Sequence, residues 1–286
     1  MTVDLSGRRV LITGAARGIG AATAKRLHER GARVVLAGIE PDVLARTAAE
    51  SGNALAVVCD VRDRNQVEAA VEAASEHLRG LDVVVANAGV AAQLPLVGGD
   101  PEVFERTIEV NLMGVYYTLR AAGPYISHER GYALAISSLA AAVHPPLLGA
   151  YCASKAGVEA LADSLRIELA PSGARVGVAY FAELDTDMVR RGFGTAAAQR
   201  VAEIRRPGRS VAPLASGVDA IERGIARRSR RVVAPRWVAP LLPMRMLAQR
   251  VIELATRSSI EDVLEIARGE NATLTTPQPD TSHTRS

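Results

Sequence analysis

Ser138, Tyr151 and Lys155 lie within one segment, Ala135 to Lys155, at separations of thirteen and four residues. If the segment around Tyr151 is helical, a tyrosine and a lysine at i and i+4 share one face. A free phenol loses its proton near pH 10, too high for efficient exchange at neutrality. An ammonium close to the ring favours the phenolate, because an opposite charge stabilises the ionised form. Bringing the phenol into the neutral range takes roughly 4 kcal/mol of differential stabilisation. Ser138, at the end of a preceding strand, can donate a hydrogen bond to a substrate oxygen as charge develops there. The trio suits proton transfer at an oxygen. Tyr-x-x-x-Lys alone also occurs on many solvated helix faces, so the surrounding elements must decide.

Arg8 to Thr13 is a short apolar run rich in β-branched residues and reads as a strand. It runs into Gly14-Ala-Ala-Arg17-Gly18-Ile19-Gly20 and then an Ala-rich helical stretch to about Arg30. Glycines at such a turn let the backbone bend and approach a pyrophosphate at the positive end of a helix. The spacing is Gly-x-x-x-Gly-x-Gly, one residue off the commonest dinucleotide fingerprint. Further strands are predicted at 33–38, 54–59, 82–86, 131–137, 174–181 and 231–235. Helices are predicted from Pro41 to about Ser51 and from Asp63, with Gln66 as a capping-box partner, to near Arg79. Asp100 and Pro101 open a longer helix carrying Asn111, and Gly149 opens the helix of Tyr151. Strands alternating with helices predict an α/β fold of Rossmann type, a doubly wound parallel sheet covered on both faces. Ligands of such sheets bind beyond the carboxyl ends of the strands. Gly14, Asp60, Asn87, Ser138 and Thr186 all fall just after predicted strands.

With these motifs assembled, the chain resembles the short-chain dehydrogenase/reductase family over residues 5–235. The matching residues are Thr13-Gly14-x-x-x-Gly18-x-Gly20, Cys59-Asp60-Val61, Ala86-Asn87-Ala88-Gly89, Asn111, Ser138 and Tyr151-x-x-x-Lys155. The resemblance implies Tyr151 as general acid/base, with Lys155 binding the nicotinamide ribose and lowering the tyrosine pKa. A bound oxidised nicotinamide would add to that lowering. Ser138 would position the substrate carbonyl or alcohol, and Asn111 would hold a water in the proton relay. Asp60 and Val61 would meet the adenine, Asn87-Ala88-Gly89 would border the cofactor, and Thr186 would touch the carboxamide. Relatives usually assemble as homodimers or homotetramers, which is the expectation here.

Cofactor choice rests on two positions. Gly38 stands where an NAD-preferring chain usually carries a carboxylate, and Arg17 could meet a 2′-phosphate. NADP(H) is therefore expected, with NAD as the alternative if Glu40 serves the ribose instead. The loop after the sixth strand departs from the family's usual Pro-Gly, reading Phe181-Ala182-Glu183-Leu184-Asp185-Thr186. Glu183 and Asp185 there are either substrate contacts or solvated acids. The loops Val90–Val97 and Leu139–Leu148 are largely uncharged, which favours a small apolar ketone, aldehyde or secondary alcohol. His144 is either a donor to a substrate oxygen or a surface histidine. Residues 187–211 carry Arg190, Arg191, Gly192, Gly194, Arg200, Arg205, Arg206 and Arg209, a basic lid or else a solvated loop.

Composition bounds the rest. The chain has 286 residues, 48% apolar, with a net charge of +3, too small to argue for nucleic acid. Two cysteines form no disulfide framework, and both read as small core thiols. Only Lys25 and Lys155 are lysines among the 34 basic residues. No signal-peptide pattern or transmembrane-length apolar run is present, so a cytoplasmic location is expected. A catalytic domain over 1–235 is expected to carry a helical extension, 236–268, and a polar, disordered tail, 269–286. The extension packs as a cap or subunit contact, or lies on a lipid surface. The leading activity is hydride transfer between NADP(H) and a carbonyl or alcohol carbon. The alternatives are an NAD-dependent dehydrogenase of lipid- or steroid-like alcohols and a non-catalytic nicotinamide-nucleotide sensor.

Overall fold

Side chains bulky at Cβ fill the centre of the molecule. In the computed structural model, which describes residues 4–192, 195–204, 211–270, 273–276 and 278, these runs pair as seven parallel strands. They are β1 (Arg9–Thr13), β2 (Arg33–Gly38), β3 (Leu55–Val58), β4 (Val83–Ala86), β5 (Tyr132–Ile136), β6 (Arg175–Phe181) and β7 (Arg231–Ala234). Each lies within one residue of its predicted bounds at either end. The order is β3-β2-β1-β4-β5-β6-β7, so the winding direction reverses between β1 and β4. Val83–Ala86 and Tyr132–Ile136 are buried at every residue, as expected for parallel strands with helices on both faces.

One face carries α1 (Gly18–Glu29), α2 (Pro41–Ala49) and α9 (Leu214–Arg227) over Ile12, Leu36, Val85 and Leu134. The other carries α3 (Arg64–Leu78), α5 (Gly114–Ile126) and α6 (Gly149–Glu168) over Leu11, Val84, Ala133 and Val176, with α4 (Pro101–Ile108) packed on α6. Alternate residues along each strand supply the two cores, the period-2 consequence of the pleat. Helix starts follow local chemistry. Asp63 accepts hydrogen bonds from the N–H groups of Asn65 (2.8 Å) and Gln66 (3.2 Å). The Gln66 side chain reaches back to the Asp60 N–H (3.0 Å), so the box closes one turn earlier than its simplest form.

The predicted long helix through Asn111 is not uninterrupted. Between α4 and α5, Glu109–Met113 forms a π-helical segment, and Asn111 sits at its middle, fully buried. Such bulges are frequent at functional sites. The chain then adds α7 (Asp187–Gly192), α8 (Ala196–Ile204), a 3₁₀ turn at Arg236–Leu241, α10 (Arg245–Thr256) and α11 (Ile260–Arg268). Val238 and Leu242 insert into the same core as the sheet, while Val263 and Ala267 of α11 pack on Ala197 and Val201 of α8. No helix among the described residues is long and apolar enough to cross a membrane. Gly194, Arg205, Arg206 and Arg209 of the predicted lid, and most of the tail beyond Glu270, lie outside the described residues.

Candidate active site

A cleft opens at the carboxyl ends of the strands, on the reversal between β1 and β4. Gly14, Arg17, Gly18, Ile19, Asp60, Val61, Asn87, Ala88, Gly89, Ser138, Tyr151, Lys155 and Thr186 all line it. Thr13, Gly20 and Asn111 stand directly behind its wall. The fold thus brings together every predicted site residue except His144. That residue is exposed and absent from the lining; its N–H donates to Gln249 of α10 (2.8 Å) instead. Glu183 and Asp185 are likewise absent from the cleft wall.

The turn after β1 shows why glycine is needed. Gly14 has φ of +63°, and a Cβ there would meet the Ala88 Cα at 2.6 Å. A Cβ on Gly20 would fall 2.4 Å from the Gly14 carbonyl oxygen. Asn87 holds the two strand ends together: its Nδ2 donates to the carbonyls of Thr13 (2.9 Å) and Gly14 (3.1 Å). Its N–H donates to the Thr13 hydroxyl (3.1 Å). Helix α1 begins at this turn with no side-chain cap and no acid in its first turn. An uncapped, acid-free helix start facing a glycine cradle fits the pyrophosphate of a dinucleotide.

Across the cleft, α6 presents Tyr151 and Lys155. The Lys155 ammonium donates to the Ile136 carbonyl (2.9 Å) and lies 5.6 Å from the centre of the Tyr151 ring. Ser137 ties the same helix to β5 by donating to the Lys155 carbonyl (2.8 Å). Ser138 donates to the Phe181 carbonyl (3.2 Å) and accepts from the Ala140 N–H (3.1 Å), which sets its hydroxyl at the cleft wall. Asn111 clamps the loop behind: Oδ1 accepts from the Val90 N–H (2.7 Å), and Nδ2 donates to the Val90 carbonyl (2.9 Å) and Ser154 Oγ (3.1 Å).

Electrostatics correct one expectation. The tyrosine pKa was expected to fall beside the lysine, yet among the protein's own groups burial dominates. Desolvation pushes the Tyr151 phenol up to about 12, against a hydrogen bond with Ser138 that lowers it. Desolvation also brings the Lys155 amine down to about 8. Neither ion is well solvated here, so the two groups do not simply exchange stabilisation. Cys59 on the cleft wall is inert for the same reason, since burial and then the nearby Asp60 raise its thiol to about 12.

Two arrangements escape local sequence patterns. Arg17 donates through Nε to Glu40 (2.7 Å) and through a terminal nitrogen to the other carboxylate oxygen, a two-pronged ion pair on the cleft wall. Asp60 is similarly engaged, by Arg62 Nε at 2.9 Å. In the stretch expected to be disordered, Thr275 exchanges hydrogen bonds with Ala91 in both directions (3.0 and 3.1 Å). Thr275, Thr276 and Gln278 line the cleft. The loop lacking Pro-Gly is ordered by backbone pairing, as Leu184 bridges Ala212 and Thr186 stays buried on the cleft wall.

The doubly wound sheet, glycine cradle and Ser-Tyr-Lys set define a nicotinamide-dependent oxidoreductase. Residues 8–203 match the family described as short chain dehydrogenase, and the chain belongs to that family of enzymes acting on CH–OH groups. It is 32% identical over 267 residues to 11-beta-hydroxysteroid dehydrogenase-like 6 of Arabidopsis thaliana, covering 89% of this chain and 77% of that protein. It is 35% identical over 206 residues to (-)-trans-carveol dehydrogenase of Rhodococcus erythropolis, covering 65% and 74%. Against glycine betaine reductase ATRR of Emericella nidulans it is 38% identical over 190 residues, but spans only 15% of that protein's length. A solved dehydrogenase/reductase from Sinorhizobium meliloti 1021 superposes with a TM-score of 0.71 at 28% identity, over 80% of this chain and 94% of that one.

Proposed function

We propose that the protein transfers hydride reversibly between a nicotinamide dinucleotide and the carbonyl or alcohol carbon of a small apolar substrate. The observation that carries this reading is the meeting of Ser138, Tyr151 and Lys155 with the glycine cradle on one cleft. When bound, the nicotinamide supplies or accepts the hydride. Tyr151 then gives its proton to the carbonyl oxygen in reduction, or takes the hydroxyl proton in oxidation. Ser138 orients that oxygen by hydrogen bonding. Lys155, fixed by the Ile136 carbonyl, stands ready to bond the ribose beside Tyr151. Asn111 acts as a positioning residue by holding the Val90 backbone. Ile136, Val90, Val110, Phe181, Leu184 and Met188 supply the apolar wall, which suits an uncharged substrate. The names of the carveol and hydroxysteroid relatives agree with a cyclic secondary alcohol.

The ion pair of Arg17 with Glu40 favours NAD(H) over the NADP(H) expected from Arg17 alone. A guanidinium held by a carboxylate is already neutralised, and a 2′-phosphate would have to displace Glu40 and lie beside it. A ribose 2′-hydroxyl can instead donate to that carboxylate. Steady-state rates with each cofactor, on apolar cyclic alcohols and ketones, test both proposals. Tyr151→Phe is expected to lower turnover about 10²–10⁴-fold with cofactor affinity retained. Undiminished turnover in that variant sinks the mechanism, and dinucleotide binding without turnover on any such substrate favours a sensor. Glu40→Gln is expected to weaken NAD(H) at least fivefold and leave NADP(H) equal or tighter. A loss of NADP(H) affinity on Arg17→Ala, with NAD(H) untouched, would restore the NADP(H) assignment.

A further inference from the structure

Helix α10 breaks the usual rule for a surface helix. None of its residues is fully buried, and its outward side is apolar. Met246 is 83% exposed, Leu247 58%, Val251 57% and Leu254 60%. Leu247, Val251 and Leu254 fall at i, i+4 and i+7, a continuous stripe on one face, and Arg250 and Arg257 flank it at helical spacing. A contiguous exposed apolar strip of this kind marks a contact surface rather than ordinary scatter.

The charge beside it names the partner. Arg223 and Arg227 at the end of α9, Arg231 opening β7 and Arg236 surround one depression, with Ala239 as a further wall. All four are exposed, and none makes an ion pair among the described residues. Arg26, Arg120 and Arg245, by contrast, find carboxylates. Arg236 and Ala239 belong to the 3₁₀ turn that carries half-exposed Trp237 and leads directly into α10. Uncompensated arginines joined to an apolar stripe by a turn bearing a tryptophan match the interface of an anionic bilayer.

We propose that the Arg236–Thr256 segment, with the arginines of α9 and β7, docks the protein reversibly on an anionic lipid surface. The apolar stripe enters the headgroup boundary, and the arginines meet lipid phosphates. A second copy of the chain would need carboxylates opposite this cluster, and the Arg236–Thr256 segment carries one, Glu253, already held by Arg250 at 3.4 Å. Contact is peripheral, since no described helix can span a bilayer. Helix α10 also holds the His144 N–H through Gln249, so the docked helix is tied to the loop running back to Ser138.

Vesicle flotation of the full chain tests this. Phosphatidylcholine vesicles with 30% phosphatidylglycerol are compared with phosphatidylcholine alone, at about 50 and 300 mM salt. Leu247→Glu/Leu254→Glu and Arg223→Gln/Arg227→Gln are run beside the parent, with circular dichroism to show retained folding. Both pairs are exposed and outside the catalytic cleft. The parent is expected to float with anionic vesicles, at least tenfold less with neutral ones, and less at high salt. Each double variant is expected to lose at least tenfold in bound fraction, since one arginine near such a surface is worth about fivefold. No flotation with anionic vesicles at low salt overturns the proposal, as does equal flotation by the variants. A shift from dimer to monomer in the leucine variant, without lipid binding by the parent, assigns the stripe to a subunit contact instead.

Discussion

Docking α6 on β5 strips water from the Lys155 amine and lowers its pKa to about 8, well under that of a free lysine. Between about pH 8 and 10.5 the unfolded chain therefore holds more protons at this site than the native protein. Stability gains from this residue as pH rises through that window, and the full penalty is present below it. Lys155→Met removes the penalty. It should raise stability at pH 7 by up to roughly 3 kcal/mol, less the cost of orphaning the Ile136 carbonyl, while abolishing turnover. Urea unfolding at pH 7 and pH 10 checks this: the variant's advantage should shrink at the higher pH. An advantage that is absent at pH 7 would mean the native ammonium is better solvated than its 3% exposure suggests. The Ser-Tyr-Lys spacing was legible in the sequence because it is a property of one helix and the strand before it. The direction of the tyrosine shift was not, because desolvation depends on what the rest of the chain packs around the ring.

At the scale of elements, β-branched runs and glycine punctuation told the strands apart from the helices with little ambiguity. The inner strands were readable because buried parallel strands are apolar throughout, and the half-exposed edge strand β3 by its Leu-Ala-Val-Val run. The glycine turn carries a sharper expectation. Gly14→Ala would place a methyl within 2.6 Å of the Ala88 backbone at a φ of +63°. The cost should be about 2 kcal/mol or more, and nicotinamide binding should fall with it. Thermal unfolding and cofactor titration both read this; an alanine variant with parental affinity would show the turn to be more yielding than its geometry. The π-helical segment at Asn111 was not readable. One extra residue in a helical turn leaves the apolar periodicity nearly unchanged, and only the Val90 loop that Asn111 clamps explains it.

For the molecule as a whole, the C-terminal extension belongs to the enzyme rather than trailing from it. Val238 is fully buried in the central core, and Glu270 accepts hydrogen bonds from the first N–H groups of α8, at Ala196 (2.5 Å) and Ala197 (3.2 Å). Thr275 then pins Ala91 beside the cleft. Thr275→Val deletes the hydroxyl that accepts from the Ala91 N–H at nearly constant volume. It should raise KM for apolar substrates several-fold, with the melting temperature moving by only a few degrees. Initial-rate measurements decide this; an unchanged KM would make the tail contact incidental to catalysis. Val238→Ala should instead cost roughly 2 kcal/mol of stability and leave KM alone.

Local order alone determined the α/β class, the glycine cradle, the Ser-Tyr-Lys spacing and the apolar character of the loops. Those features are written in spacings of a few residues, and short-range sterics and periodicity act over that distance. Tertiary structure decided the rest: that Arg17 is spent on Glu40, that His144 lies outside the cleft, that burial raises rather than lowers the Tyr151 pKa, and that residues near 275 line one side of the cleft. Each depends on groups far apart in the chain meeting in a low-dielectric or shaped space. Burial and charge pairing belong to that space and leave no periodic trace in the residues themselves.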